Sequence, residues 1–408
     1  MSELEGNFDT KHYAQSAHEH IAYLTQSIGG RGSCTPEEKE AAEYIAQQLR
    51  NLGALEVHFE PFHGAHSAYA RYVIIFALAL LSTAITLAWR HPATASLAAF
   101  LHGLGILGMI AESDFSPNWT HQLIPSRPSQ NVLGVLSAQR KSSKRVVLTA
   151  HMDSHRTPIF NSNRFWQRVY NLGFKSLFGS LIAGSFIHLF IALRELFWLR
   201  GLLLIPSGIL LVGILLFLHA DLTPFSPGAY DNASGVASAL ALAERVAAHP
   251  LEMTDVTIAM LGCEENGAWG AYALYEAHSD EWRNAIVINL DQMAMGTIYI
   301  RAREGILVRY HPKPEMLALA HHVHEKMPYL GVFERVSQAF SDATLAYKNG
   351  ISALSLGTTP TKPGATIHRH RMSDTIEHVE LDALRATQRY VWGLLQAIDM
   401  GVGDDFGV

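Results

Sequence analysis

The sequence predicts an α/β fold, a three-layer sandwich with a mostly parallel mixed sheet, interrupted by two inserted hydrophobic helical hairpins. Three observations predict it. Apolar runs of strand length alternate with amphipathic runs of helix length, the pattern of strand–helix–strand units. Several of those runs end abruptly in His, Asp or Glu. Four uncharged segments of 18–20 residues fall in two pairs inside the pattern.

The elements follow in order. Thr35 suits a helix N-cap, Pro36 the first helical position, and Glu38 completes a capping box. The amphipathic run EAAEYIAQQLRNL follows and stops at Gly53. LEVHFEPF alternates as a strand does, and after the first apolar pair NVLGVL and RVVLTA read as two more. After the second pair come a helix (SGVASALALAERVAAH), a strand (DVTIAMLG) and a helix (WGAYALYEAH). NAIVINL and TIYI are strands, EMLALAHHVHEKM a helix, ISALSL a strand, and a helix from about Leu381 to Ile398 closes the chain. The hairpins interrupt this pattern without ending it, so residues 1–408 read as a single domain carrying insertions at 72–111 and 176–220.

The insertions consist of residues 72–89 and 94–111, then 176–193 and 201–220. At about 1.5 Å rise per residue, each just reaches across a hydrocarbon core of about 30 Å. The links RHPA and RELFWLR are short, so each pair is expected to return to the side it left. Buried core helices or an oligomer interface are the alternative, which His102, His188 and Pro206 keep open. The expectation is an integral membrane protein with four spans and a lipid bilayer as partner. Arg71, Arg156, Arg164, Arg168 and Lys175 flank the spans on one side, against Arg90, Arg194 and Arg200 in the tight loops. That bias puts the polar bulk in the cytoplasm, in keeping with the start MSELEGNFDTKHYAQ, which has no cleavable signal pattern. Gly103-Leu-Gly-Ile-Leu-Gly108 matches a dinucleotide fingerprint but lies inside an apolar segment, where small residues favour close helix packing.

Net charge is −6 with no basic block, which argues against nucleic acid as a partner. Two cysteines, Cys34 and Cys263, do not make a disulfide framework.

The chemistry concentrates where strands end. RVVLTA runs into His151-Met-Asp153, and residues two apart on a strand share a face. Asp153 is placed to orient His151, as a carboxylate commonly does for a ligating imidazole. DVTIAMLG ends in Glu264-Glu265 and NAIVINL in Asp291, at the edge where open α/β sheets carry their sites. Asp231 opens DNASG just before a helix, where an ordinary N-cap turn is the plain alternative. IHRHRMSDT offers His368 and His370 ahead of Asp374. Two imidazoles and three carboxylates, with a spare glutamate and no thiolate, suit two zinc ions, with manganese or cobalt as substitutes.

The order HMDS, DNASG, EENGAWG, INLD and HRHRMSDT resembles the di-zinc exopeptidases of metallopeptidase family 28, which include leucyl-type aminopeptidases and, as a divergent branch, glutaminyl cyclases. The likeness extends over IGGRGSC, NVLGVL and SDATLAYKNGISALSL. It implies a zinc-dependent metallo-aminopeptidase acting on peptides. His151 and Asp291 would hold one ion, Glu265 and His370 the other, Asp231 would bridge them, and Glu264 would be the general base. His370 is preferred to His368 because it keeps a four-residue step to Asp374. The family often has His-Thr at this ligand, and here it is His370-Arg371. Glutaminyl cyclisation or carboxypeptidase action on the same site is the alternative, and a non-catalytic receptor or scaffold ranks below both. Because both insertions adjoin site motifs, control of substrate access by the hairpins is a further expectation.

Overall fold

The apolar runs assemble, among the described residues, into one eight-stranded sheet. The computed structural model describes residues 10–305, 308–362 and 364–402, so the first nine residues of the polar N-terminal stretch lie outside the described residues. The strands are β1 (Leu55–Ala65), β2 (Ser126–Leu136), β3 (Lys144–His151), β4 (Thr254–Leu261), β5 (Ile286–Leu290), β6 (Thr297–Arg303), β7 (Phe333–Val336) and β8 (Ser352–Thr359). The helices are α1 (Thr10–Ala22), α2 (Pro36–Asn51), α3 (Ala70–Ala88), α4 (Pro92–Glu112), α5 (Arg164–Arg194), α6 (Leu204–Asp221), α7 (Ser234–Ala248), α8 (Trp269–His278), α9 (Pro314–Lys326), α10 (Ala343–Lys348) and α11 (Leu381–Asp399). Two compact units result: Met1–His66, Ser126–His155 and Phe225–Val408 form one, Ser67–Pro125 and Arg156–Pro224 the other.

In the first unit the sheet order is β1-β2-β4-β3-β5-β8-β6-β7. The four middle strands run parallel, β1, β2 and β6 join antiparallel, and β7 is parallel to β6. The middle strands are nearly buried throughout. That explains why they read as unbroken apolar runs rather than alternating ones. Val146, Leu148 and Ala150 of β3 join Ile258 and Met260 of β4 in a core shared with α1, α2, α7, α9 and α11. The other face is covered by α8 and α10. The architecture is therefore the mixed, three-layer α/β fold expected.

The start of α2 differs in one detail. Thr35 caps it, accepting the Glu38 N–H at 3.3 Å. The Glu38 carboxylate does not return to the Thr35 N–H as a capping box requires. It turns inward and accepts the N–H groups of Cys34 and Cys263, both at 2.8 Å, and the Ser129 hydroxyl at 2.7 Å.

The second unit contains four helices long and apolar enough to cross a membrane: Ala70–Ala88, Pro92–Glu112, Arg164–Arg194 and Phe197–Asp221, the last including a 3-10 turn before α6. The third begins at Arg164 rather than at 176, because Asn163 caps it by accepting the Trp166 N–H, and its first turns tolerate Arg164, Arg168 and Lys175. Small residues bring the helices together. A Cβ at Gly105 or Gly108 would meet Ile75 at 2.9 or 3.1 Å, and one at Gly184 would meet His102 at 2.5 Å. Phe76, Leu181, Leu210 and Phe217 form the interior, while Trp89, Phe100, Leu107, Leu193 and Trp198 are exposed.

A polar lock closes the first hairpin. Buried Glu112 accepts Arg71 Nη1 at 2.6 Å, Asn118 Nδ2 at 2.6 Å and Thr120 Oγ1 at 3.2 Å, with His121 Nε2 at 2.7 Å. Removing one side of a buried pair strands the other. Glu112→Ala is expected to destabilise this unit by about 3–5 kcal/mol, seen as a lowered unfolding midpoint in detergent. An unchanged midpoint would mean the lock contributes nothing.

Candidate metal centre

Strand register brings the first groups level. β3 pairs His151 with Leu261 of β4, and Thr149 with Asn289 of β5. Two residues further on, His151 and Asp291 stand side by side at the carboxyl edge. After Leu261 the chain leaves the sheet, with Cys263 in a left-handed conformation. A turn in which Glu264 O accepts the N–H groups of Gly267 and Ala268 then presents both glutamates. Adjacent side chains can face one site here because the strand has ended.

Asp153 organises this edge. Its Oδ1 lies 3.3 Å from His151 Nδ1. Its two oxygens accept the backbone N–H groups of Glu264 and Glu265, each at 3.1 Å, and Oδ2 also accepts the Ser33 hydroxyl at 2.6 Å. One carboxylate thus orients the imidazole and seats the glutamate turn. Asp153→Asn is expected to weaken metal binding by about 10–100-fold. Unaltered zinc affinity in equilibrium dialysis would refute that role.

Asp231 arrives from the loop before α7. Asp374 accepts the N–H groups of Tyr230 at 2.7 Å and Asp231 at 3.1 Å. Asn232 fastens the same loop to the end of β5, donating to Leu290 O and accepting from Gln292 N. Arg31, fully buried, donates to the carbonyls of Leu24, Gly29, Met152, Pro227 and Gly228. It therefore ties the loop after His151 to the loop before Asp231.

The side chains converge. His151 Nε2 lies 3.4 Å from Asp231 Oδ1 and 3.9 Å from both Glu264 Oε2 and Asp291 Oδ1. His370 Nε2 lies 3.1 Å from Asp231 Oδ2 and 3.3 Å from Glu265 Oε2. His368 turns away, bonding to Ser373 and stacking on His378. Three ligand groupings emerge among the described residues: His151 with Asp231 and Asp291, His151 with Glu264 and Glu265, and His155 with Glu265 and His370.

The electrostatics favour a cation. Glu265 Oε1 and Asp291 Oδ1 are buried and accept no hydrogen bond among the described residues, an expensive state for charged acceptors. Burial pushes the Glu264 carboxyl well above its ordinary range, against the pull of the His151 ring. Asp231 is held well below its own range by Arg369 and the two imidazoles, although burial works the other way. Imidazole and carboxylate donors without thiolate fit zinc.

Sequence reasoning passed over several neighbours. His155 stacks on His370 with ring centroids 3.9 Å apart. His155 lies four residues beyond the end of β3 at His151, so no strand period marked it. Arg369 Nε lies 2.9 Å from Asp231 Oδ2, and Arg301 pairs with Asp291 Oδ2. Neither arginine had a sequence signal of its own.

Comparison with known proteins gives a family match over part of the chain and a shared fold over most of it. The model of peptidase family M28 matches residues 212–395. A zinc aminopeptidase from Bacillus subtilis is similar at 15% identity, covering 94% of this chain and 95% of its own, with a TM-score of 0.57. An aminopeptidase from Aneurinibacillus sp. strain AM-1 is similar at 14% identity, with 95% and 94% covered and a TM-score of 0.57. A glutaminyl cyclase from Bacteroides thetaiotaomicron bound to N-acetylhistamine is similar at 16% identity, with 94% and 97% covered and a TM-score of 0.54. No curated protein matches the chain.

Proposed function

We propose that this chain, which matches the model of peptidase family M28 over residues 212–395, is a membrane-associated di-zinc aminopeptidase that hydrolyses the N-terminal peptide bond of peptides. The observation that carries this reading is the position of Asp231, with one oxygen towards His151 and the other towards His370. A carboxylate so placed would serve two ions at once. His151 and Asp291 would hold one zinc, Glu265 and His370 the other, and Asp231 both; manganese or cobalt suits the same donors. His155, stacked on His370, fixes that ring.

Zinc bound there supplies Lewis acidity to the scissile carbonyl and to the attacking water. The remaining work belongs to the chain. Glu264 takes the proton from the water and delivers it to the departing amine. Asp153 holds the Glu264 backbone and the His151 ring, so base and ligand keep one relative position. Burial of the site excludes the bulk water that would weaken each of these interactions.

The apolar helices of the second unit support four membrane spans, with Trp89, Phe100, Leu107, Leu193 and Trp198 meeting lipid. The flanking basic residues favour a cytoplasmic zinc domain. Release of the protein from membranes by alkaline carbonate would sink the membrane reading.

Glutaminyl cyclisation is the second reading, favoured by the similarity to a glutaminyl cyclase. Mass-spectrometric product analysis of detergent-purified, zinc-loaded protein separates the two. A mixture of free, acetylated and N-terminal-glutamine peptides should lose N-terminal residues stepwise from the free peptides alone. Loss of ammonia without cleavage would replace the aminopeptidase by the cyclase. No change in any peptide would reject both.

A further inference from the structure

Cys34 and Cys263, the two cysteines of the chain, are 229 residues apart in sequence, yet their Sγ atoms stand 3.2 Å apart. Cys34 lies in the loop before α2 and Cys263 in the turn after β4, both with left-handed φ, 60° and 53°. Non-glycine residues rarely take that conformation without support. The support is Glu38, whose two carboxylate oxygens accept one cysteine N–H each. Gly64 at the end of β1 leaves the thiols their space, since a Cβ there would lie 3.0 Å from Cys263 Sγ and 3.4 Å from Cys34 Sγ.

The same two loops hold Asp153. Ser33, next to Cys34, donates to Asp153 Oδ2, and Glu264 and Glu265, directly after Cys263, donate their N–H groups to the same carboxylate. We propose that Cys34 and Cys263 form a reversible dithiol–disulfide modification site that displaces the Glu264 turn when it is oxidised. Its effect on turnover rests on the peptidase reading, whereas formation of the bond does not.

A disulfide needs a sulfur–sulfur distance of about 2.05 Å, so the two sulfurs must close by about 1 Å. With both backbones clamped by Glu38, the residue that follows Cys263 absorbs part of that movement. Glutathione disulfide is a sufficient oxidant. Cys34 is partly exposed and Cys263 buried, so Cys34 attacks first. Its sulfur displaces one glutathione, breaking the glutathione disulfide bond and forming a mixed disulfide. Cys263 then attacks Cys34 Sγ and releases the second glutathione. The two cysteines lose two electrons and two protons, and one glutathione disulfide becomes two glutathiones.

The test treats zinc-loaded, full-length protein in detergent with glutathione disulfide and follows intact mass, free thiols and turnover. The expected result is a loss of about 2 Da per chain, disappearance of both thiols and a fall in kcat on the order of 10-fold to 100-fold. Dithiothreitol should reverse all three, and Cys34→Ser should keep its activity through the treatment. Two thiols still free, or a stable glutathione adduct without a bridge, would overturn the site. A bridge with unchanged turnover in an active preparation would overturn the displacement. A bridge in protein without peptidase activity would uphold the disulfide and count against the peptidase reading instead.

Discussion

Glu264→Gln is expected to lower kcat by about 10²–10⁴-fold while zinc content, KM and the unfolding midpoint stay close to wild type. Glutamine has nearly the same shape, and the contact that seats this residue is its backbone N–H on Asp153, which the substitution leaves in place. What disappears is the proton acceptor. The geometry makes the test sharp, because Glu264 also stands in a grouping with His151 and Glu265 that offers three ligand atoms. A ligand and a base differ in what their loss removes. Zinc should therefore be counted in the same sample in which turnover is measured. Loss of an ion together with activity would make Glu264 a ligand, and near-normal kcat would end its role as base.

Much of the sheet was legible because its central strands are buried on both faces. RVVLTA, DVTIAML and IVINL have no polar face to interrupt them, and each stops where its side chains reach the site. The edge strand β7, FERV, is exposed at all four residues and carries no such pattern. Only its pairing with β6 makes it a strand. His151 and Asp291 were legible for the same reason as the strands they terminate. Asp231 and His370 lie in loops, so periodicity did not distinguish them and the family resemblance supplied their roles. Arg31 sits in the stretch IGGRGSC with no periodicity to mark it, yet its guanidinium is buried among five carbonyls. Arg369 meets Asp231 across 138 residues of chain. Such contacts depend on closure of the whole fold, and spacing along a sequence carries no information about them.

Asp231→Asn is expected to weaken the binding of both zinc ions by at least about 10²-fold, leaving purified protein largely without metal and without turnover. The expectation follows from the position of one carboxylate between two histidines. An amide keeps one acceptor oxygen and turns an N–H₂ group towards the other imidazole, so at least one side faces a donor where a ligand stood. The substitution also removes the negative charge beside Arg369, whose Nε is 2.9 Å away and whose side chain is 36% exposed, leaving that guanidinium short of its counter-charge. Stability should therefore fall even in the absence of zinc. Glu265→Gln is the informative contrast, because Glu265 Oε2 lies 3.3 Å from His370 Nε2 and is assigned here to that ion alone. That variant should keep about one ion per chain, held by His151, Asp291 and Asp231. Zinc counted by elemental mass spectrometry against protein concentration distinguishes the two outcomes. Two ions retained at wild-type affinity in Asp231→Asn would refute the bridge, and equal loss in both variants would mean that the two zinc sites bind as one unit.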